Sequence, residues 1–413
     1  MSISESQTDV VVIGAGAAGL LAAAFAAGEG CRVLLVERTR DGGRKILISG
    51  GGRCNILPSE VEPEWFVTDS SPHSLRNILR GWPLPAQRRF FEDEIGLPLV
   101  LEEESGKFFP ASNRARDVRD RLVKHARCCG AEVRFNSTVT GLAPSGEGWL
   151  VGLEGGASLR TRVVVVATGG LSVPNTGSDG TGLRLIESLG HLVHPTYPAL
   201  TPLTTNATRW TDLSGVSLEA HLTAPPETPP YSQRQGLLFT HRGLSGPAVL
   251  NISHVFTRPR TGAPPPILAQ FGSLGRADWE QEFNAGGRVH LATALRRHLP
   301  ERLALALLEE AGVPGDRSLA QLRREEREAV LVVLTAFPLP ITGDEGYRKA
   351  EVTGGGVALS EIDPVTMESR RTPGLFLCGE VLDAFGPIGG FNFLWAWATG
   401  RAAGLGARRR VTS

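Results

Sequence analysis

The stretch DVVVIGAGAAGLLAAAFAAGEGCRVLLVER, Asp9 to Arg38, decides the fold. An apolar, β-branched run enters a glycine turn, the turn opens an alanine-rich segment, and a second apolar run ends at Glu37. Apolar runs without polar alternation suit strands of a parallel sheet covered on both faces. Gly14, Gly16 and Gly19 spell GxGxxG, a weak signal by itself. Here a strand precedes the turn, a helix follows it, and an acidic residue closes the next strand, which completes the dinucleotide-binding fingerprint. Gly14 is expected to permit the tight turn, Gly16 to let the backbone approach a pyrophosphate, and Gly19 to allow close helix–strand packing. The helix N-terminus offers free N–H groups and its positive dipole end to the phosphates. Glu37 is expected to accept hydrogen bonds from the adenosine ribose, and its charge disfavours a 2′-phosphate, so NADP is not expected at this turn. The competing reading is a βαβ unit with no ligand.

Around this unit, 413 residues suffice for two or three domains. The formal net charge of zero gives no electrostatic reason to expect a nucleic-acid or membrane partner. Cysteines at 31, 54, 128, 129 and 378 are odd in number and show no CxxC spacing. That pattern fits a reducing cytoplasm, with neither a disulfide framework nor structural zinc. Val10–Ala27 is long enough to pass for a signal peptide or membrane span. Glu5 and Asp9 stand where a basic segment belongs, however, and three glycines interrupt the run, so no membrane association is expected. Histidines form no HxH or HExxH and no GxSxG occurs, so neither a metal nor a hydrolase triad is expected.

A further apolar run, VVVVATGG, ends in Ala167-Thr168-Gly169-Gly170, and near the C-terminus Leu375–Cys378 leads into Gly379-Glu380. The three elements in this order resemble two-dinucleotide-fold flavoproteins, in which the ATG turn lies near the cofactor. The acidic residue after the last glycine there binds the ribityl or pyrophosphate region. There is no second GxGxxG for a dedicated NAD(P)H domain. Residues 195–275 read as short strands separated by PPETPP and APPPI, an antiparallel insertion. Residues 287–335 are helix-rich and charged, and GGFNFLWAWATGRAAG reads as a final helix.

GGRKILISGGGRCN, GKFFPAS, ATGGLSVPNTGSDGTG, LFTHRGLSGPAVLNIS, EVTGGGV and CGEVLDAFGPIGGFNFLWAWATG together resemble the YhiN/BaiN-like bacterial flavoproteins, from residue 9 to about 404. The resemblance implies an α/β protein with a discontinuous Rossmann-like FAD-binding domain, 1–192 and 350–413. It also implies an inserted β-barrel-like domain, 193–275 and 336–349, and a small helical domain, 276–335. Members of the BaiN type reduce unsaturated oxo-bile acids. The implied activity is therefore FAD-dependent reduction of a conjugated double bond in a small hydrophobic molecule, with NAD(P)H as transient donor. This chain departs from its relatives at DAFGPIGGFNF, where Asp-Gly and a Tyr are common.

By the same resemblance the cofactor contacts start with Gly14, Ala15, Gly16, Ala17, Ala18, Gly19, Glu37 and Arg38. Lys45, Ser49, Gly50, Gly52, Arg53, Cys54 and Asn55 belong to a loop crossing the cofactor. Val139 meets the adenine through its backbone, while Ala167, Thr168, Gly169, Gly379, Glu380 and Asp383 follow later strands. Gly390, Phe391, Asn392 and Phe393 open the final helix, whose N-terminus faces the flavin N1/C2=O edge and stabilises anionic reduced flavin. Glycines 50–52 would let main-chain N–H groups meet flavin or ribityl oxygens. Arg53 would neutralise pyrophosphate charge, and Asn55 can donate and accept at a ring edge. A surface hairpin is the alternative for this loop. Cys54 has no cysteine partner nearby and reads as a small packing residue. Trp395 and Trp397, two apart on a helix, read as core.

His241, in FTHRGLSGP, is the candidate catalytic acid, because imidazole has a pKa suited to proton delivery. Two other functions compete: a flavin-dependent RNA-modifying enzyme, disfavoured by the zero net charge, and a non-enzymatic flavin redox sensor.

Overall fold

The computed structural model describes residues 8–225 and 231–413; Glu5 and most of PPETPP lie outside them. The chain forms two compact units, one from residues up to 196 together with those from 352 onward, the other from Tyr197–Glu351.

In the first unit, β1 (Thr8–Ile13), β2 (Val33–Val36), β3 (Glu132–Arg134), β4 (Val139–Ser145), β5 (Gly148–Leu153), β6 (Ser158–Val166) and β7 (Leu375–Leu377) make one sheet. Its order is β3-β2-β1-β6-β5-β4, with β7 also pairing to β6. β6 explains the mixed topology. Its Val163–Val166 half is a buried run parallel to β1 and β7, while the Ser158–Thr161 half alternates and pairs antiparallel with β5.

Four helices matter for the site: α1 (Ala17–Ala26), α2 (Arg44–Ile48), α3 (Ala115–Cys128) and α4 (Phe391–Thr412). α3 is amphipathic and buries Val118, Leu122, Val123 and Ala126. α1 has no polar stripe, because protein covers it on both sides. On one side a Cβ at Gly19 would overlap the Gly14 carbonyl oxygen. On the other, Gly400 and Gly404 of α4, four apart and so on one face, lie against α1. A Cβ at Gly404 would stand 2.5 Å from the Ala22 oxygen. Earlier in α4, Trp395 and Trp397 are buried; their indole N–H groups donate to Gly379 O at 3.1 Å and Ile56 O at 3.0 Å.

The second unit contains a seven-stranded antiparallel sheet. Its order is Phe337–Pro338, Leu268–Phe271, Ser217–Ala224, Tyr231–Thr240, Gly243–Ser245, Leu203–Thr204, Gly343–Asp344. Helices Arg276–Ala285, Leu291–Arg296, Glu301–Ala311 and Arg324–Thr335 accompany it. Phe239, Phe271 and Phe337 of the strands and Trp279, Phe283 and Leu303 of the helices belong to one core, so the helical stretch 276–335 shares its interior with the strands. Among the described residues no helix is long and apolar enough to cross a membrane.

Glycine at 19 is demanded by packing, whereas a Cβ at Gly16 meets no heavy atom within 4 Å. Gly19→Ala is therefore expected to cost about 2–3 kcal/mol, lowering Tm by several degrees. Gly16→Ala should stay within about 1 kcal/mol of the native protein. Thermal unfolding of the two variants checks the contrast.

Candidate functional site

The turn between β1 and α1 is built as the spacing demands. Gly14 has φ +102°, and a Cβ there would sit 2.6 Å from the Ala167 carbonyl oxygen at the end of β6. Ala167 in turn donates its N–H to Ile13 O at 2.9 Å, locking the two strand ends together. Gly16 caps α1 with φ −79° and no side-chain cap. Since any residue adopts that φ and no protein atom fills the space beyond, the protein itself does not require glycine here. The first N–H groups of α1 point out of the helix without intrahelical partners. An open cradle at a helix N-terminus fits a pyrophosphate.

Glu37, nearly buried, accepts from the Ala15 N–H at 2.7 Å through one carboxylate oxygen. The other accepts from the Thr39 N–H at 2.8 Å and hydroxyl at 2.7 Å. It thus holds the glycine turn against the loop after β2 and retains acceptor capacity. Arg38 pairs with Asp179.

Lys45 of α2 donates to Glu380 Oε2 and to Ser172 Oγ, both at 2.6 Å. Ser172 Oγ donates to Glu380 Oε1 at 2.6 Å, and Glu380 Oε1 also takes the Thr353 N–H at 3.0 Å. Thr353 Oγ1 accepts the Leu171 and Ser172 N–H groups at 2.7 and 3.1 Å. One half-buried ion pair therefore ties α2, the segment after Gly169-Gly170 and the residue after Gly379 together. Removing either partner would strand a charge. Ser172 and Thr353 carry no local sequence signal.

Ser49–Gly52 forms a tight turn in which Gly50, Gly51 and Gly52 have φ of +55°, +66° and +87°. Three successive left-handed residues are cheap only for glycine. A Cβ at Gly50 would lie 2.5 Å from Asn55 Oδ1, while at Gly51 it would meet nothing within 4 Å. Backbone conformation, and at Gly50 the neighbouring Asn55, accounts for the glycine run. Cys54 is fully buried, and burial pushes its thiol up to about 12 against the opposing Ser49 hydroxyl. No thiolate forms there near neutral pH. Arg53 lies 3.8 Å from the Phe109 ring centroid and pairs with Glu102 at 3.0 Å.

Asp383, 1% exposed, accepts from the Thr68 hydroxyl at 3.0 Å, the Asp69 N–H at 2.9 Å and the Ser70 hydroxyl at 2.8 Å. Burial raises its pKa, with the Ser70 and Thr68 hydroxyls and nearby His194 opposing. Asn392 accepts from the Gly386 N–H and donates back to Gly386 O, both at 3.0 Å, closing the loop before α4. α4 starts after Gly390, at φ +101°; Phe391 meets Trp65 edge-on, and Phe393 stacks on Trp397. Val139 is buried at the start of β4. His241 lies in the second unit, exposed in the turn between Tyr231–Thr240 and Gly243–Ser245.

Two buried side-chain oxygens in these stretches, Asn55 Oδ1 and Thr168 Oγ1, have no hydrogen-bond partner among the described residues. Orphaned buried polar atoms cost about 1–3 kcal/mol each, and a ligand is one way to satisfy them. With the open cradle at Gly16, they fit FAD. Among the described residues no group of three or more His, Cys, Asp or Glu could hold a metal ion.

Residues 8–406 match the HI0933-like protein Rossmann domain. The chain is 36% identical to the ribosomal RNA dihydrouridine synthase of Escherichia coli K12, over 95% of this chain and 96% of that one. It is 30% identical to the 3-dehydro-bile acid delta(4,6)-reductase of Clostridium scindens, over 97% and 98%. Among solved structures, the 3-ketosteroid-delta4-(5alpha)-dehydrogenase of Rhodococcus jostii RHA1 matches with TM-score 0.51 at 16% identity, over 98% of each chain, and so shares the fold.

Because no protein atom lies within 4 Å of a Cβ at Gly16, a larger side chain there is expected to meet only the cofactor. Gly16→Val should give a soluble protein with near-native circular dichroism and no bound flavin. Absorbance near 450 nm and chromatography of acid-released flavin check this; full FAD occupancy in the variant would mean the cradle holds nothing.

Proposed function

The chain belongs to the HI0933-like Rossmann family, and on that premise we propose that it reduces a carbon–carbon double bond conjugated to a carbonyl, with a uridine of ribosomal RNA as its substrate. Flavin-dependent oxidoreduction is the family's chemistry. The observation that carries the cofactor assignment is the open Gly16 cradle at the N-terminus of α1. When bound, reduced FAD supplies the hydride. We assign the pyrophosphate to Gly14–Gly19 and the adenosine ribose to Glu37. The ribityl region goes to the Glu380 side, where Lys45 balances the carboxylate.

The two named relatives act on different molecules, yet uracil and an unsaturated 3-oxo steroid present the same electrophile, a C=C polarised by a C=O. Hydride adds at the far carbon of that system and a proton at the carbon next to the carbonyl. His241 is the proton donor we propose, and NAD(P)H the transient electron donor in the absence of a second GxGxxG. RNA stands first because the higher full-length identity is to the RNA enzyme. The zero net charge favours the second reading, a small hydrophobic enone.

Protein-free ribosomal RNA from cells lacking this enzyme, treated with the holoenzyme and NADH or NADPH and digested to nucleosides, should contain new dihydrouridine by mass spectrometry. A 3-oxo-4,6-diene steroid runs in parallel. Turnover of the steroid alone supports the second reading; turnover of neither overturns both.

His241→Ala should leave FAD content and flavin reduction by the donor unchanged, and slow reoxidation by substrate about a hundredfold or more. Stopped-flow kinetics of the two half-reactions separates the cases, and equal slowing of both, or of neither, removes His241 from the chemistry.

A further inference from the structure

Beside the glycine loop a cleft of about 460 Å³ opens between Leu47 and Gly52 on one side and residues Arg114 to Asp117, the start of α3, on the other. Its floor at Gly52 is bare, since the nearest heavy atom to a Cβ there is 4.0 Å away. Most arginines of this unit are engaged: Arg32 by Asp9, Arg53 by Glu102, and Arg119, on α3 itself, by Asp41 and Asp120. Arg114 and Arg116 are exposed, and their guanidiniums have no hydrogen-bond or ion-pair partner among the described residues. Asp117, the one carboxylate in the lining, leaves a net positive charge.

The cleft touches no residue of the Gly14–Gly19 turn; it meets the loop expected to cross the cofactor only at Gly52, and Arg114 and Arg116 lie on the opposite side, at the start of α3. Two unpartnered guanidiniums lining one cleft suit phosphate, which the planar fork of arginine grips through two parallel hydrogen bonds. A protein of zero net charge can hold a polyanion only where positive charge is gathered locally. We propose that this cleft binds the phosphodiester backbone of the RNA substrate, Arg114 and Arg116 each taking one phosphate. The inference rests on the ribosomal-RNA reading above and adds the surface that holds the strand.

The test uses holoenzyme, a fluorescein-labelled 20-mer of oligouridylate, and binding isotherms over a range of salt. Two lost single-strand phosphate contacts remove about 1.4 from the slope of log K against log salt. Arg114→Ala/Arg116→Ala should therefore flatten the slope by about that much and weaken binding roughly tenfold or more at 0.1 M salt. FAD content and flavin reduction by NADPH should stay native, and Arg114→Lys/Arg116→Lys should keep most of the slope. An unchanged slope in the alanine variant, with dihydrouridine still formed by the wild type, overturns the cleft and leaves the RNA reading standing. Loss of FAD, or a raised KM for NADPH with RNA binding intact, reassigns the cleft to cofactor or donor and overturns the proposal. Wild-type enzyme that neither binds oligouridylate in a salt-dependent way nor makes dihydrouridine brings down both.

Discussion

How closely α1 can be pressed against the ends of β1 and β6 is the constraint on which the first unit depends. Gly19 leaves no room for a Cβ beside the Gly14 carbonyl, Gly14 none beside Ala167, and Gly400 and Gly404 repeat the condition on the α4 side. A helix clamped between a strand junction and another helix must be made of small residues, which is why α1 is mostly alanine and nearly all buried. The clamp aims the positive end of α1 at Gly16, where space is left open. Packing at Gly19 and vacancy at Gly16 thus follow from one placement of the helix.

Several polar residues that sequence assigns to cofactor contact also hold the protein together. Glu37 ties the glycine turn to the loop after β2, Lys45 and Glu380 join α2 to the end of β7, Asp383 gathers residues 68–70, and Asn392 closes the loop at Gly386. Each loop is held in place by bonds within the protein, so little ordering is left to the ligand, which favours tight binding. The two orphaned oxygens, Asn55 Oδ1 and Thr168 Oγ1, are where that internal satisfaction stops.

The βαβ unit, the buried strands and the start of α4 near Gly390 were legible because each rests on local physics: apolar runs, left-handed glycines and a helix-forming stretch. Partners were not. Lys45 and Glu380 stand 335 residues apart, and Ser172 and Thr353 join them through contacts no local pattern encodes. The pairing of Arg53 with Glu102 and Phe109 depends on the strand pair Leu99–Glu102 and Lys107–Pro110, which brings them to it from far along the chain. The glycine run is unusual in the sequence alone, and its left-handed φ values, with Asn55 close to Gly50, supply a backbone reason for it that no local pattern shows. The helices of 276–335 read as a separate body because an apolar stripe tells that a helix is covered, not by what.

The first unit is split along the chain: α1 comes near its beginning, and α4, which must lie against it, follows the whole of 197–351. Tyr197–Glu351 is continuous and can collapse while synthesis proceeds. The nucleotide cradle cannot. β1, α1 and β6 keep the α4 side of α1 uncovered until residues 391–412 join them, a long loop closure that slows assembly and exposes apolar surface meanwhile. Closing the packing around α1, and with it the glycine turn, is thereby a late step of folding rather than an early one.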